Sequence, residues 1–492
     1  MKNGNQLETT ETLNVRPVAG IVSVMIATVA AVVTVPADPE PRGALFFPGL
    51  LMSIGLAYVP VMTAIRHPKS ILRGENLLVL SPIFWLLFDL LQGAYEPTGI
   101  TPAETKMSFI AIGVFVLGVW FAAIPRPWRM PTVVMRSVSH EISANALFVL
   151  IVIAFGLGML RFAIPCDFDF FTMIHYLGEP RWNAPWSREM LGGRDAFLDH
   201  LVYFGYLLPG LTVLLANRLG WLNTRTLAAV VFSVAIAAFL SQGGGRRIIG
   251  IIFGMAIILW ILMLPRVRLR NVAVVVACVA ALLFFMQFMI EYRLLGFRAA
   301  LEENEERKAT PMAEEEAEEL FHVDDNFYRL VQVIQLVPNN YPFVYAKHVY
   351  WMLVRPVPRV FWPGKPVDGG FNLADAVGET GITLTMSAIG ESYMSGGLWA
   401  VLIGGLLFGR LAGMASTLLG RATTPGALLV YSVSMMALFA GMRSAVELVL
   451  TSYVILAWIF VCWLYGVFAG GRSALTIQDE APGPLPMQRG RR

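Results

Sequence analysis

The chain has 492 residues, 56% of them apolar and only 14% charged, with a mean hydropathy of +0.63. A soluble domain carries about a quarter charged residues, so this sequence cannot cover a water-facing surface of the required size, which excludes an ordinary soluble enzyme, a disordered protein and a nucleic-acid binder. The net charge of +3 is the small difference between 37 basic and 34 acidic residues, and the cysteines Cys166, Cys278 and Cys462 supply neither a disulfide framework nor a zinc spacing.

Apolar runs that can cross a bilayer need about 20 residues. Taken in chain order, the candidates are Val18–Val35, Gly43–Ile65, Leu77–Gln92, Met107–Ile124, Ser143–Ile164, Leu201–Ala216, Thr226–Leu240, Ile248–Leu264, Asn271–Ile290, Tyr393–Thr417, Gly426–Gly441 and Val446–Phe468. They are expected to be helices, because an unpaired backbone cannot cross hydrocarbon. A transmembrane barrel would alternate, and these runs are continuous. The first run precedes Val35-Pro36-Ala37, which has the form of a signal-peptide cleavage site. It is longer than a usual signal core, however, and the tail before it carries Glu8 and Glu11 beside Lys2 and Arg16. It is read as an uncleaved helix. The expected fold class is thus an all-α polytopic membrane protein with about 12 transmembrane helices by that length criterion.

Charge then orients the spans. Short basic loops (66–73, 126–136, 217–225, 265–270, 419–425) alternate with acid-rich ones (37–40, 96–104, 166–200). The positive-inside rule puts the basic set, and both termini, in the cytoplasm. The chain divides into residues 1–290 with nine spans and an outer loop at 165–200, a large outer loop at 291–392, three spans at 393–468 and a cytoplasmic tail at 469–492. The acidic stretch Leu301 to Leu320 reads as a solvated segment. Phe327, Leu330, Val331 and Ile334 share one helical face, which predicts a helix lying on the membrane surface or the bundle. Gly405, Gly409 and Gly413 recur every fourth residue and predict close helix packing.

Several cations break the charge rule. Arg161, Arg246, Arg247, Arg293, Arg298, Arg355, Arg359, Lys365 and Arg443 all fall at the outer level. A cation near hydrocarbon is costly unless it is paired or faces a polar cavity. Each alone can snorkel to the interface or bind a lipid headgroup. As a set from separate segments, they suit a phosphate or diphosphate gripped by several guanidinium groups. Gly243-Gly244-Gly245 before Arg246 is either a plain interhelical turn or a place where backbone N–H groups approach an anion. No Walker Lys-Ser/Thr follows it. These features predict an anionic, lipid-embedded substrate, its tail between helices and its head against the arginines. Outside the cytoplasm such a substrate would have to carry its own leaving group, as a lipid diphosphate does.

The stretch Arg355-Pro356-Val357-Pro358-Arg359-Val360-Phe361-Trp362-Pro363-Gly364-Lys365-Pro366 resembles the Pro-Arg-x-x-Trp-Pro-x-Lys-Pro segment of the oligosaccharide repeat-unit polymerases, the O-antigen or Wzy-type polysaccharide polymerases. Gly390-Glu391-Ser392-Tyr393 resembles that family's Gly-Glu-x-Tyr, Gly243-Gly244-Gly245-Arg246-Arg247 its Gly-Ser-Arg turn, and Met442-Arg443-Ser444 a later Arg-Gly/Ser turn. The resemblance covers roughly Leu240 to Phe468. Where the family often has Asn and an aromatic after the Tyr, this chain has Met394-Ser395-Gly396-Gly397. The resemblance implies a GT-C-like fold and places the large loop between helices 9 and 10 in the periplasm. It implies a glycosyltransferase of the bacterial inner membrane, and since the sequence shows no acidic cluster suited to a metal, a metal-independent one is expected. The reaction would move a glycan from undecaprenyl diphosphate to the next lipid-linked repeat unit. Implied partners are the lipid-linked oligosaccharide, membrane lipids, a chain-length regulator and a flippase; no cofactor is implied.

On this reading Arg246, Arg247, Arg355, Arg359, Lys365 and Arg443 bind the diphosphate and neutralise charge on the leaving group. Glu391 is the first candidate for general base, with His348 and Asp368 behind it. An ion pair between Glu391 and one of those arginines is the competing assignment. Trp362 and Tyr393 are candidates to stack on a sugar, or members of an interfacial aromatic belt. A ligase moving the finished glycan to lipid A core and a transporter of lipid-linked sugar are the alternative functions.

Overall fold

The computed structural model describes residues 16–94, 98–187, 198–242, 245–296, 323, 325–355, 357, 361–379, 384–421 and 424–468. Arg298, Arg359, Gly243, Gly244, the acidic stretch and the tail from 469 lie outside these, as does the side chain of Arg293. Among the described residues, 12 helices are long and apolar enough to cross a membrane, and no strand accompanies them. The chain is an all-α multi-pass membrane protein.

The helices run α1 (Pro17–Thr34), α2 (Phe46–Arg66), α3 (Gly74–Gln92), α4 (Pro102–Ala123), α5 (Ala144–Ala163), the short α6 (Phe170–Leu177), α7 (Leu198–Leu219), α8 (Thr224–Gln242), α9 (Arg246–Met263) and α10 (Leu269–Leu295). Then come α11 (Asn326–Leu336) and α12 (Ala346–Val354), which do not span, followed by α13 (Ser387–Arg421), α14 (Pro425–Arg443) and α15 (Ala445–Phe468). Their starts follow ordinary capping chemistry. Ser143 Oγ accepts the Ala146 N–H at 3.2 Å before α5, and Thr424 Oγ accepts the Ala427 N–H at 3.3 Å before α14. Pro102 and Pro425 occupy first turns, where no intrahelical N–H is needed. Inside α3, Pro82 removes a backbone donor, and the helix widens to a π turn over Ile83–Leu87.

Two ends of the bundle can be told apart by what joins the helices there. At one end Lys69 Nζ donates to the carbonyls of Leu262 at 3.1 Å and Leu264 at 2.5 Å, at the close of α9. Burial pushes the Lys69 ammonium below its usual range. At the same end Glu75 accepts from Arg73 at 3.0 Å and from Ser416 Oγ at 2.9 Å. The opposite, loop end carries the segment between α10 and α13. There α11 buries Phe327, Leu330, Val331 and Ile334, the face expected from their spacing, against α4 and α13. Val323 N–H donates to Asp89 at 2.9 Å, and Asn326 Nδ2 to the Trp85 carbonyl at 3.2 Å. Asp89 and Arg410, two charges inside apolar runs, are therefore not mid-membrane groups. Asp89 anchors the loop, and Arg410 donates to the Arg126 carbonyl at 2.9 Å.

The crossing of α4 and α13 depends on two of the three spaced glycines. A Cβ on Gly405 would land on the Phe115 carbonyl oxygen, far inside contact distance. One on Gly409 would lie 2.7 Å from Ala122 Cβ and 2.8 Å from Val119 Cα, whereas Gly413 has its nearest neighbour at an ordinary 3.5 Å. Overpacking a close contact costs about 1–3 kcal/mol. Gly405→Leu is therefore expected to lower the unfolding temperature of the purified protein by several degrees, with Gly413→Ala unchanged as the control. Equal behaviour of the two variants would show that α4 does not approach α13 so closely.

Candidate functional site

The tenth span starts at Ser387, not at Tyr393 as the apolar run suggested, so Glu391 lies on a helix instead of in the loop before it. Polar residues in its first turns, Ser387, Glu391, Ser392 and Ser395, hide that start from a hydropathy reading. The helix breaks at Gly396 and Gly397, and Gly397 has φ 65°, a region open to glycine. At the break the Met394 carbonyl accepts the Val344 N–H at 3.0 Å. The break thus lets the first turns of α13 leave the line of the span and meet the loop end of α15.

Glu391 is 5% exposed. Its carboxylate accepts from Ser444 Oγ at 2.5 Å and from the Ala445 N–H at 2.8 Å. Ala445 opens α15, so Glu391 places a negative charge on a helix N-terminus, where the unpaired N–H groups favour it. His348, in the first turn of α12, is equally buried and brings Nε2 to 3.5 Å from Glu391 Oε2. Neither ring nitrogen of His348 has a hydrogen-bond partner among the described residues. Two of the three base candidates therefore meet. The third, Asp368, is exposed and accepts the Gly370 N–H at 2.8 Å within its own turn, beside Gly369, which packs against the His348 ring.

From His348 a line of side chains follows one face of α12. The Trp351 ring lies 5.5 Å from the His348 ring, and the Arg355 guanidinium lies over Trp351 at 4.7 Å. Trp351 Nε1 donates to the Val367 carbonyl at 3.1 Å, tying the helix to the proline-rich loop. Lys365 donates to the Arg355 and Val357 carbonyls, each at 2.8 Å, so its ammonium supports that loop. Trp362 is half-buried, edge-on to Tyr350 at 6.5 Å. Tyr393 is in the core at 8% exposure, which is at odds with stacking on a sugar.

Arg246 and Arg247 open α9, where the helix dipole disfavours a cation. Arg247 resolves this by an ion pair with Glu447 in the first turn of α15. Sequence reasoning missed Glu447; the signal was a carboxylate in the first turn of an otherwise apolar span. Arg443 ends α14, next to the Ser444 that binds Glu391. A second missed pair joins Arg161 of α5 to Asp199 of α7. Tyr206 of α7 is within electrostatic reach of Arg161, Arg247 and Glu447, so the two ion pairs share a neighbourhood. Arg247, Arg443, Glu391 and His348 thus form an arc at the N-terminus of α15, which Trp351 extends to Arg355.

A separate cavity of about 1210 Å³ runs beside this arc. It lies between α8, α9 and α10 and is lined by Val234, Ile249, Phe253, Trp260, Val274 and Phe285 among others. Along α10 the lining extends from Val274 to Met289, 15 residues, or about 22 Å at 1.5 Å per residue. Arg246 shares a helical face with Ile249, Phe253 and Trp260 and so stands at the loop end of this groove. There the Gly178-Glu179-Pro180 turn forms a roof. Gln242 Nε2 donates to the Glu179 and Pro180 carbonyls at 3.4 and 3.5 Å, while Gly296 at the end of α10 leaves no room for a Cβ against the same turn. Gln242 Oε1 also accepts from Trp186 Nε1 at 2.9 Å. Gln242 was not among the expected site residues, since a lone Gln at a helix end carries no pattern. Compared with known proteins, the chain matches no family model, no curated protein sequence and no solved structure.

Proposed function

We propose that the chain is a metal-independent glycosyltransferase that polymerises undecaprenyl-diphosphate-linked oligosaccharide repeat units at the periplasmic face of the bacterial inner membrane, with both termini in the cytoplasm. The observation that carries the reading is the apolar groove between α8, α9 and α10, about 22 Å along α10 against a hydrocarbon thickness of about 30 Å, with its α9 wall starting at Ile249, one turn after Arg246. An isoprenoid tail fits such a groove, and its diphosphate would then meet the first turn of α9. The acceptor hydroxyl attacks the anomeric carbon, the bond from that carbon to the diphosphate oxygen breaks, and the electron pair leaves with the diphosphate. Arg246, Arg247 and Arg443 offset the charge that develops there. Glu391 takes the acceptor proton, with His348 beside it. Arg355 faces the same arc from α12, while Lys365 serves the loop.

The groove also favours a second reading, a transporter of the same lipid, because a tail slot is what a flippase needs as well. One assay separates these. Purified protein in vesicles, supplied with lipid-linked repeat units, is expected to produce a ladder of chain lengths. Movement of the lipid between leaflets with no change in length would support the transporter. A single transfer that occurs only when lipid A core is added would support a ligase.

A further inference from the structure

The segment between α5 and α7 presents an apolar surface whose three phenylalanines the proposed chemistry does not use. Immediately after α5 the chain turns through Asp167 and Phe168, both with φ in the left-handed region, and enters α6. Asp169 caps that helix, accepting the Phe171 N–H at 3.1 Å and the Thr172 N–H at 3.3 Å. A bond from the Thr172 hydroxyl, together with these backbone bonds, holds the Asp169 carboxyl below its usual range. Phe170, Phe171 and Ile174 lie within about 100° of one another around the helix. Phe168, Phe170 and Phe171 are 66%, 64% and 82% exposed, and Ile174 adds to the same patch. The other side of α6 faces the protein, with Met173 buried and Tyr176 packed edge-on to Trp186.

Three phenylalanines directed into water would be a large cost for eight residues of helix. The patch has a place in the membrane. It begins just after α5 ends, at the level where that span leaves hydrocarbon. It is also continuous with a lipid-facing surface, because Ile174 and Leu177 line the same groove as the spanning residues of α8, α9 and α10. Asp167, Asp169, His175 and Glu179 lie along the same short segment and keep it at the boundary. We propose that α6 is seated in the acyl-chain boundary of the leaflet at the loop end, with Phe168, Phe170, Phe171 and Ile174 in lipid, so that the mouth of the groove opens to the membrane beneath it. The occupant of the patch is bilayer lipid, not a second protein.

The test uses the full chain in vesicles. Cys166 and Cys462 are buried and Cys278 is exposed, so Cys278→Ala gives a background for a single bimane label. The label goes on Phe171→Cys and, separately, on Phe170→Cys, with Glu379→Cys as the water-facing reference. All three sites are exposed, so the substitutions remove no buried packing. Immersion by the roughly 5–10 Å expected of an interfacial helix should cut iodide quenching at least about threefold relative to Glu379→Cys, with strong quenching by lipid carrying a nitroxide high on its acyl chain. Iodide quenching equal to the reference, with no effect of nitroxide lipid, would overturn the proposal and leave the patch as a surface for a protein partner. Neither result depends on the ladder assay, so a protein that fails to polymerise can still pass this test.

Discussion

Arg247→Ala is expected to abolish chain elongation and to destabilise the protein, and the two effects can be separated. The substitution leaves Glu447 buried without its ion-pair partner. Breaking a buried pair costs about 3–5 kcal/mol; Arg247 is a third exposed, and solvent screening brings the expectation down to about 2 kcal/mol. Removing a group that stabilises leaving-group charge costs about 10²–10³-fold in rate. Arg247→Ala combined with Glu447→Ala removes both charges, so it should recover most of the lost unfolding temperature and none of the activity. Recovery of both would reduce Arg247 to a structural pin. Cys278, which lines the groove, gives a third reading. An apolar maleimide should label it more slowly when lipid diphosphate occupies the groove, and the single variant should need more lipid for the same protection.

Glu391→Gln is the second large effect. The amide oxygen can still accept from Ser444 or from the Ala445 N–H, so the fold should survive, but the side chain can no longer take a proton. A loss of at least about 10²-fold in elongation rate is expected. Glu391→Ala should in addition lower the unfolding temperature, because it leaves the buried Ser444 O–H and the Ala445 N–H without their acceptor, at about 1–3 kcal/mol for such groups. Near-normal elongation by the glutamine variant would remove Glu391 as the base and leave it as the cap of α15, the role its hydrogen bonds already give it.

The parts of the fold that a bilayer dictates were readable from residue types alone. Hydrocarbon thickness sets span length, and each of the 12 apolar runs overlaps one candidate span. The α11 face was readable because its period is local. What escaped depends on distant neighbours. Tyr393 has the composition of a sugar-stacking residue, but whether a ring faces a cleft or the core is decided by helix rotation. The pairing of Arg247 with Glu447, 200 positions away, has no local signature, and the same holds for His348 meeting Glu391. Gly396-Gly397 was visible as a departure from the pattern of the polymerases that the sequence resembles, yet its meaning emerged only with the break in α13 and the Val344–Met394 bond.

The weakly packed α10 carries a further implication. Only 6% of its spanning window is buried, and it forms one wall of the groove. Its docking on α9 is therefore held less by protein interior than by the lateral pressure of the surrounding bilayer. Groove width is therefore expected to depend on the host membrane and to differ between a bilayer and a detergent micelle. Extraction into detergent is thus expected to disturb the tail slot before the buried Glu391–His348 pair.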